Sequence, residues 1–219
     1  MNLLFSWSSG KDSALALYDI MTNEKIHLDG LWTTITAPKE MISFHGVTVN
    51  LLKKQAEALQ LPLTITNLPD NCSNNQYEMI MKQSFERFIL RGIEGIAYAD
   101  LYVEEIRNYR EQLLKKSGLM GVFPLWRNST IDTAERFIES GFKAVITTVD
   151  HTKIDPIWIG RPFDHTFLSS LCDEVDPCGE NGEFHTFVYD GPIFANAVSF
   201  SIEGMIDNDP YITARLQGE

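Results

Sequence analysis

The sequence contains few cysteines and lacks a long hydrophobic run. Its three cysteines, Cys72, Cys172 and Cys178, are an odd number without a Cys-x-x-Cys spacing. This argues against a disulfide framework or a structural zinc site and favours a reducing compartment. No apolar run approaches the roughly 18 residues that a membrane-spanning helix needs, and residues 2–5 follow no basic signal-peptide region. We therefore expect a cytoplasmic protein with no membrane partner.

Basic residues are also in short supply. The 219 residues include 18 Lys and Arg against 30 Asp and Glu, a net charge of −12. This disfavours a broad basic surface for DNA or RNA, although a local basic cleft stays open. Internal repeats and low-complexity segments are absent. The hydrophobic fraction of 44% suits a globular chain of one or one and a half domains. The oligomeric state is left open, a homo-oligomer included.

The Walker phosphate-binding pattern is absent, because no glycine stands five residues before Gly10 and an aspartate follows Lys11. Instead, a short apolar strand at residues 2–5 leads through a hydroxyl-rich loop into a helical pattern. The unpaired N–H groups at such a helix start favour anions. Asp12 could hold Mg²⁺, or Asp12 or Ser13 could be an ordinary helix cap. The candidate anion-binding residues are Ser8, Ser9, Gly10, Lys11, Asp12 and Ser13.

Strands and helices then alternate. Strands are predicted at residues 2–5, 31–36, 63–66, 95–99 and 121–126, and helices at about residues 12–23, 47–59, 77–90 and 103–116. This alternation predicts a parallel sheet, whose ligands bind beyond the carboxyl ends of the strands. The loop at residues 8–13, the loop after Thr36 and Asp100 should therefore share one rim. Arg107 and Arg110 either belong to a solvated helix face or bind phosphate or a substrate carboxylate there.

From about Ser129 onward the pattern changes. A helix at residues 130–140 and a strand at 144–149 are followed by strands at 184–189 and 197–202, joined through Asp190-Gly191-Pro192. Prolines, aspartates and glycines crowd this part of the chain. We expect an α/β domain at residues 1–128 and a smaller α+β lobe at residues 129–219.

Residues 176–186 are dense in glycine and functional side chains. Gly179 and Gly182 allow close backbone approach to a ligand. Glu180 and Glu183 could bind Mg²⁺, hold an ammonium-like nucleophile or act as a general base. His185 could shuttle a proton. A solvated glutamate and a buried strand histidine are the ordinary alternatives.

Residues 8–13 resemble the S-G-G-x-D-S pyrophosphate loop of the ATP pyrophosphatases, and residues 175–188 resemble the G-E-x-G-E-[FY]-x-T signature of the diphthine–ammonia ligase family. Ser9 stands where the loop pattern has its first glycine, so a positive φ there would cost roughly 1 kcal/mol. The resemblance is to the short, bacterial-type members and runs in order along the chain. The middle matches are His45-Gly46-Val47, Tyr98-Ala99-Asp100, Phe123-Pro124-Leu125-Trp126 and Gly160-Arg161.

The resemblance implies a Rossmann-like α/β fold of the adenine nucleotide α-hydrolase type, with a five-stranded parallel sheet, flanking helices and a smaller C-terminal α+β lobe. Residues 1–128 would be the ATP-binding domain and residues 129–219 the substrate domain. The resemblance also implies an AMP-forming carboxylate–ammonia ligase that acts through an acyl adenylate, with ATP and Mg²⁺. The carboxylate partner would be a small molecule or a modified elongation factor. Implied roles are catalysis by Asp12, Asp100, Glu180 and Glu183; Mg²⁺ binding by Asp12; nucleotide binding by Ser8 to Ser13 and His45; and substrate binding by Arg107, Arg110, Gly179, Gly182 and His185.

Two other functions are kept open. One is an ATP pyrophosphatase that modifies a tRNA base, which the acidic charge and the missing Cys-x-x-Cys pair disfavour. The other is a non-catalytic nucleotide-binding regulator on the same fold. A ligase and a regulator differ in whether loss of an acidic residue abolishes turnover while nucleotide binding persists.

Overall fold

The computed structural model describes residues 1–37 and 46–218 and contains two β-sheets. The N-terminal sheet has five parallel strands in the order β3-β2-β1-β4-β5, which confirms the predicted fold class. The order reverses between β1 and β4, and this is the switch point where ligands bind in such sheets. The strands are β1 (Asn2–Ser6), β2 (His27–Thr36), β3 (Leu63–Leu68), β4 (Gly95–Ala97) and β5 (Met120–Val122).

Helices cover both faces of this sheet. Successive strand side chains point to opposite faces, so Leu3 and Phe5 of β1 enter one hydrophobic core and Leu4 enters another. The first core includes residues of α1 and α2, and the second includes residues of α3 and α4. This two-sided burial accounts for the continuous apolar run at the start of the chain. The helices are α1 (Lys11–Met21), α2 (Val49–Ala58), α3 (Asn74–Leu90) and α4 (Glu104–Ser117).

The C-terminal lobe has a four-stranded antiparallel sheet in the order β7-β6-β9-β8. Two α-helices and a short 3₁₀-helix, Pro156–Trp158, accompany it. None of the helices in the described part of the chain is long and apolar enough to cross a bilayer. The remaining elements are α5 (Thr130–Glu139), β6 (Lys143–Asp150), α6 (His165–Ser170), β7 (Phe184–Asp190), β8 (Phe200–Asn208) and β9 (Tyr211–Gly218).

Among the predicted strands whose bounds differ from the structure, two differ for a clear physical reason. The strand expected at residues 197–202 runs instead from Phe200 to Asn208 and pairs with β9, which the pattern did not predict. No residue of β8 is fully buried, so backbone pairing rather than hydrophobic alternation defines it. The strand expected at residues 121–126 ends at Val122. Pro124 has no N–H to donate to a sheet, and residues 124–127 form a turn.

The two lobes share one hydrophobic core. Phe137 of α5 stacks on Phe142 with ring centroids 5.1 Å apart, and Phe142 meets Tyr18 of α1 edge to face at 6.0 Å. Phe163 packs edge to face on Phe137 at 5.7 Å. This aromatic cluster of the C-terminal lobe thus reaches α1 of the N-terminal lobe through the contact between Phe142 and Tyr18.

Phe137→Ala should lower the free energy of unfolding by about 3 to 5 kcal/mol, because it leaves a cavity in this shared core. Ile131 lies on the same helix but is 42% exposed. Ile131→Ala should therefore change stability by no more than about 0.5 kcal/mol. Urea denaturation measures both variants. A similar loss of unfolding free energy in the two variants would show that the aromatic cluster around Phe137 adds no special stability.

Candidate active site

A cavity of about 240 Å³ lies beyond the carboxyl ends of β1 and β4. It therefore occupies the switch point of the parallel sheet. Both lobes line it, since the loop before β7 closes over the start of α1. Predicted site residues in its lining are Ser8, Gly10, Lys11, Asp12, Ser13, Asp100, Arg110, Gly179, Glu180, Gly182 and His185.

The loop between β1 and α1 is held by hydroxyl groups. The Ser8 and Ser13 hydroxyl oxygens are 2.7 Å apart, and the Ser8 N–H donates to Ser13 Oγ at 3.2 Å. Gly10 precedes the first helical residue, and the helical ladder begins with the Ala14 N–H donating to the Gly10 carbonyl. The N–H groups of residues 11–13 come before that ladder, as at other anion-binding helix starts.

Ser9 has a φ of +73°, so the loop demands the left-handed conformation that glycine adopts most easily. Its side chain is fully buried, and Ser9 Oγ has no hydrogen-bond partner among the described residues. Serine therefore carries both a backbone strain and an unsatisfied hydroxyl at this position.

Lys11 is buried and links the two lobes. Its Nζ donates to both carboxylate oxygens of Asp12, at 3.0 and 2.7 Å, and to the carbonyl oxygen of Cys178. Nζ also lies over the rings of Phe163 and Phe184, 5.6 and 5.3 Å from their centroids. Burial is the largest influence and opposes the charged form, but the Asp12 carboxylate together with Cys178 and Glu180 outweighs it, and the pKa of Lys11 is raised. Lys11 therefore stays a cation.

Glu180 is an acidic residue of the cavity whose surroundings bring its pKa close to neutral pH. Burial, reinforced by the Asp12 carboxylate and opposed by Lys11, raises its pKa to about 7. The Leu101 N–H donates to Glu180 Oε2 at 3.4 Å, which holds the side chain against the end of β4. A carboxyl group with this pKa can take up or release a proton near neutral pH.

Asp100 and Arg110 line the same cavity. Arg110 Nε lies 3.1 Å from Asp100 Oδ2, without the alignment of a hydrogen bond, and the guanidinium lies 4.2 Å from the centroid of the Tyr98 ring. Burial raises the pKa of Asp100, and Arg110 and Arg107 oppose that rise. The pair leaves a buried carboxylate oxygen that can accept a ligand contact.

Glu183 shapes the loop before β7. The side chain is 1% exposed, and its carboxylate accepts hydrogen bonds from the Asp176 N–H at 3.3 Å and from the Asn181 N–H and Nδ2, both at 3.0 Å. Gly179 has a φ of +70°, and a Cβ there would come within 2.8 Å of the Phe184 carbonyl oxygen. This glycine thus permits a close approach of the loop to its own backbone.

Three further predicted residues, His185, Arg107 and His45, do not share one location. Burial and the nearby Lys11 lower the pKa of His185 to about 4, so this cavity residue is neutral at pH 7. Arg107 pairs with Glu111 at 2.8 Å and lies 4.6 Å from the Phe123 and Trp126 ring centroids, outside the cavity lining. His45 lies outside the described residues.

A second cavity of about 460 Å³ adjoins the first and shares Ser6, Ser8 and Arg110 with it. Its walls come from β2, α3 and α4 and are largely aromatic or apolar, with Thr33 and Thr34 at the strand end. Together the two cavities offer a polar compartment and an apolar one. The aromatic and apolar residues lining the second are Trp7, Trp32, Tyr77, Met81, Phe85, Tyr98, Ile106, Tyr109 and Leu113.

No role was predicted for Gln55, or for Thr186 beyond its place at the end of the family signature, although both contact the loop of residues 8–13. The Thr186 hydroxyl accepts the Lys11 N–H at 3.0 Å, so it caps α1 in place of Asp12 or Ser13. Gln55 is fully buried on α2. Its position four residues after buried Leu51 was a usable signal, because a polar residue on a buried helix face must find hydrogen-bond partners.

Mg²⁺ is implied by the resemblance, and the donors suit it. Asp12, Asp100 and Glu180 bring hard carboxylate oxygens to one cavity, and a buried Asp100 oxygen lacks a hydrogen bond. No ready cluster of three or more metal-ligating side chains occurs in the described part of the chain. A Mg²⁺ ion here would therefore rest on one or two carboxylates and complete its shell with phosphate oxygens and water.

The fold and cavity define an α/β protein with a hydroxyl-rich loop and a helix N-terminus at the switch point of a parallel sheet. Comparison with known protein families identifies the family. The diphthamide synthase N-terminal domain matches residues 1–121 and the diphthamide synthase C-terminal domain matches residues 129–206. The chain belongs to the diphthamide synthase family.

Curated relatives agree with this assignment at low identity. The chain is 30% identical over 111 residues to bovine diphthine–ammonia ligase, covering 48% of the chain and 42% of the bovine protein. It is 29% identical over the same length to the human enzyme. The match to diphthine–ammonia ligase of Schizosaccharomyces pombe is 23% over 227 residues, 95% of the chain and 37% of the yeast protein. The chain spans less than half the length of these relatives.

Glu180→Gln should stabilise the protein at pH 8 and not at pH 4. The folded-state pKa of Glu180 is about 7 against an ordinary 4.5, so wild type loses stability as pH rises between these values. The uncharged glutamine avoids this loss, by an amount on the order of 2 kcal/mol. Thermal unfolding at pH 4, 6 and 8 measures it, with exposed Glu174→Gln as the control. A difference that is constant with pH would contradict the assignment.

Ser9→Gly should stabilise the protein by about 1 kcal/mol more than Ser9→Ala. Alanine removes the unsatisfied hydroxyl but keeps the backbone strain of the positive φ, whereas glycine relieves both. Chemical denaturation of the two variants and wild type gives the order. A Ser9→Gly variant less stable than Ser9→Ala would show that the loop is not strained at this residue.

Proposed function

We propose that the chain is an ATP-dependent carboxylate–ammonia ligase of the diphthine–ammonia ligase type. The observation that carries this proposal is the single cavity that combines a helix N-terminus, buried Lys11 and the carboxylates of Asp12, Asp100 and Glu180. A helix start with a cation suits phosphates, and carboxylates hold a metal ion or accept protons. Family membership and the activity for which the relatives are named support the same reaction.

In the proposed reaction, the substrate carboxylate attacks the α-phosphate of ATP and pyrophosphate leaves. Ammonia then attacks the acyl adenylate, the carbon–oxygen bond to AMP breaks and an amide forms. The attacking nitrogen loses a proton in this step. We assign Glu180 as its acceptor, because its pKa of about 7 suits a general base near neutral pH.

We assign the phosphates of ATP to the loop at residues 8–13 and the adenosine to the second cavity. The support is that the two cavities share Ser6 and Ser8, and that the second has the aromatic walls typical of nucleoside sites. Lys11 stabilises the negative charge that pyrophosphate carries as it leaves. His45 at the nucleotide rim stays a prediction from the resemblance.

Mg²⁺, when bound, would neutralise phosphate charge and polarise the phosphorus–oxygen bonds. Asp12 is its proposed ligand. Lys11 currently pairs with both Asp12 oxygens, so the carboxylate would be shared between the two cations. We assign Asp100 to the same cleft, where it can contact the nucleotide or the acceptor.

The proposed acceptor is a carboxylate, either on a diphthine-bearing elongation factor or on a small molecule. Arg110 lines both cavities and is the proposed carboxylate-binding residue. We assign Glu183 a positioning role in holding the acceptor loop, with Gly179 and Gly182 giving that loop its shape. His185 would take part as a neutral hydrogen-bonding group. Substrate binding by Arg107 stays a prediction. Its guanidinium packs against the rings of Phe123 and Trp126.

Glu180→Gln should lower kcat for AMP formation by about 10² to 10⁴-fold and leave the KM for ATP nearly unchanged. Wild-type kcat should rise with pH through about 7, and the variant should lose this rise. The assay contains Mg-ATP, ammonium and each proposed acceptor in turn. Glu174→Gln is the matched control, because Glu174 is exposed.

Two outcomes would oppose the proposal. A Glu180→Gln variant with wild-type kcat and pH profile would remove Glu180 from the chemistry. ATP that binds and stays intact with every acceptor would favour the nucleotide-binding regulator.

A further inference from the structure

We infer that Thr186 and Gln55 are positioning residues that fasten the phosphate loop to strand β7, so that the C-terminal lobe sets the loop's affinity for phosphate. This inference rests on the proposed function for its consequence and on contacts between the lobes for its geometry. Both residues hydrogen-bond to the backbone of the loop, and Thr186 also lines the first cavity.

Thr186 supplies a helix cap from across the molecule. Gly10, at the N-cap position of α1, has no capping side chain, and the Lys11 N–H donates instead to Thr186 Oγ1, 3.0 Å away and 175 residues along the chain. Thr186 is 3% exposed, so water does not compete freely for this bond. Capping of this kind orients the N–H groups of the first helical turn.

Gln55 fastens the other side of the loop. Its amide Nε2 donates to the Ser9 carbonyl at 3.3 Å and to the Val188 carbonyl at 2.7 Å, and its Oε1 accepts from Trp7 Nε1 at 2.9 Å. Gln55 is fully buried and thus uses its amide group on both sides of the lobe boundary. The Val188 N–H also donates to the Ser9 carbonyl at 3.0 Å.

These contacts act where the loop is strained. Ser9 has a φ of +73°, a conformation that persists only when its surroundings enforce it. The Ser9 carbonyl accepts hydrogen bonds from the Val188 N–H and the Gln55 amide. Two residues further along the loop, the Lys11 N–H donates to the Thr186 hydroxyl. Since β7 directly follows the loop that carries Glu180 and Glu183, the same strand supports both halves of the proposed site.

The test compares Thr186→Val, Thr186→Ser and Thr147→Val in the full chain. Valine keeps the shape of threonine but cannot accept the Lys11 N–H, whereas serine can. Thr147 is a buried threonine in β6 whose hydroxyl has no partner in the described part of the chain, so its replacement removes no hydrogen bond. The readouts are amide hydrogen exchange at Lys11, dissociation constants for pyrophosphate and Mg-ATP, and urea stability.

Thr186→Val should speed Lys11 amide exchange at least tenfold and weaken pyrophosphate and Mg-ATP binding by about tenfold, the effect of losing one buried hydrogen bond. Thr186→Ser should stay within about threefold of wild type in both. Thr147→Val should match wild type in Lys11 amide exchange and in both dissociation constants, even where its stability to urea differs. Gln55→Leu should weaken phosphate binding in the same direction as Thr186→Val.

The inference is overturned if Thr186→Val keeps wild-type Lys11 exchange, or if it weakens binding only as much as Thr147→Val. Failure of the proposed function looks different. Wild type would then bind neither pyrophosphate nor Mg-ATP, while Lys11 exchange would still accelerate in Thr186→Val and support the loop-positioning role.

Discussion

The burial of one ammonium group governs how the two lobes meet. A cation removed from water must be paired and hydrogen-bonded, or the fold loses several kcal/mol. Lys11 satisfies this requirement with the Asp12 carboxylate from its own helix and the Cys178 carbonyl from the C-terminal lobe. The rings of Phe163 and Phe184 complete its surroundings. The C-terminal lobe must therefore sit on the start of α1, and this contact forms the cavity.

The same charge balance sets the chemistry that the cavity can perform. Lys11 pairs with Asp12, while Glu180 is left in a buried position beside that negative charge. One carboxyl group thus faces a cation and another holds a proton near neutral pH. Two acidic residues with such different surroundings can divide the tasks of metal or phosphate binding and proton transfer. His185 is held neutral in the same field.

Much of this arrangement follows from local sequence. The apolar strand, the hydroxyl-rich loop and the helix after it predict β1, the loop and α1, and strand–helix alternation predicts the parallel sheet and the rim that unites Asp12 with Asp100. Local pattern does not reveal contacts between distant segments. The cap from Thr186 to Lys11 depends on the packing of β7, and β8, which has no fully buried residue, depends on backbone pairing with β9.

Ligase activity is tested most simply by ³¹P NMR of the full chain with Mg-ATP and ammonium, with and without each proposed carboxylate acceptor. A ligase should form AMP and pyrophosphate only when an acceptor is present. Release of ADP and phosphate would contradict this proposal, because cleavage would then occur between the β- and γ-phosphates and residues 8–13 would not serve as a pyrophosphate loop.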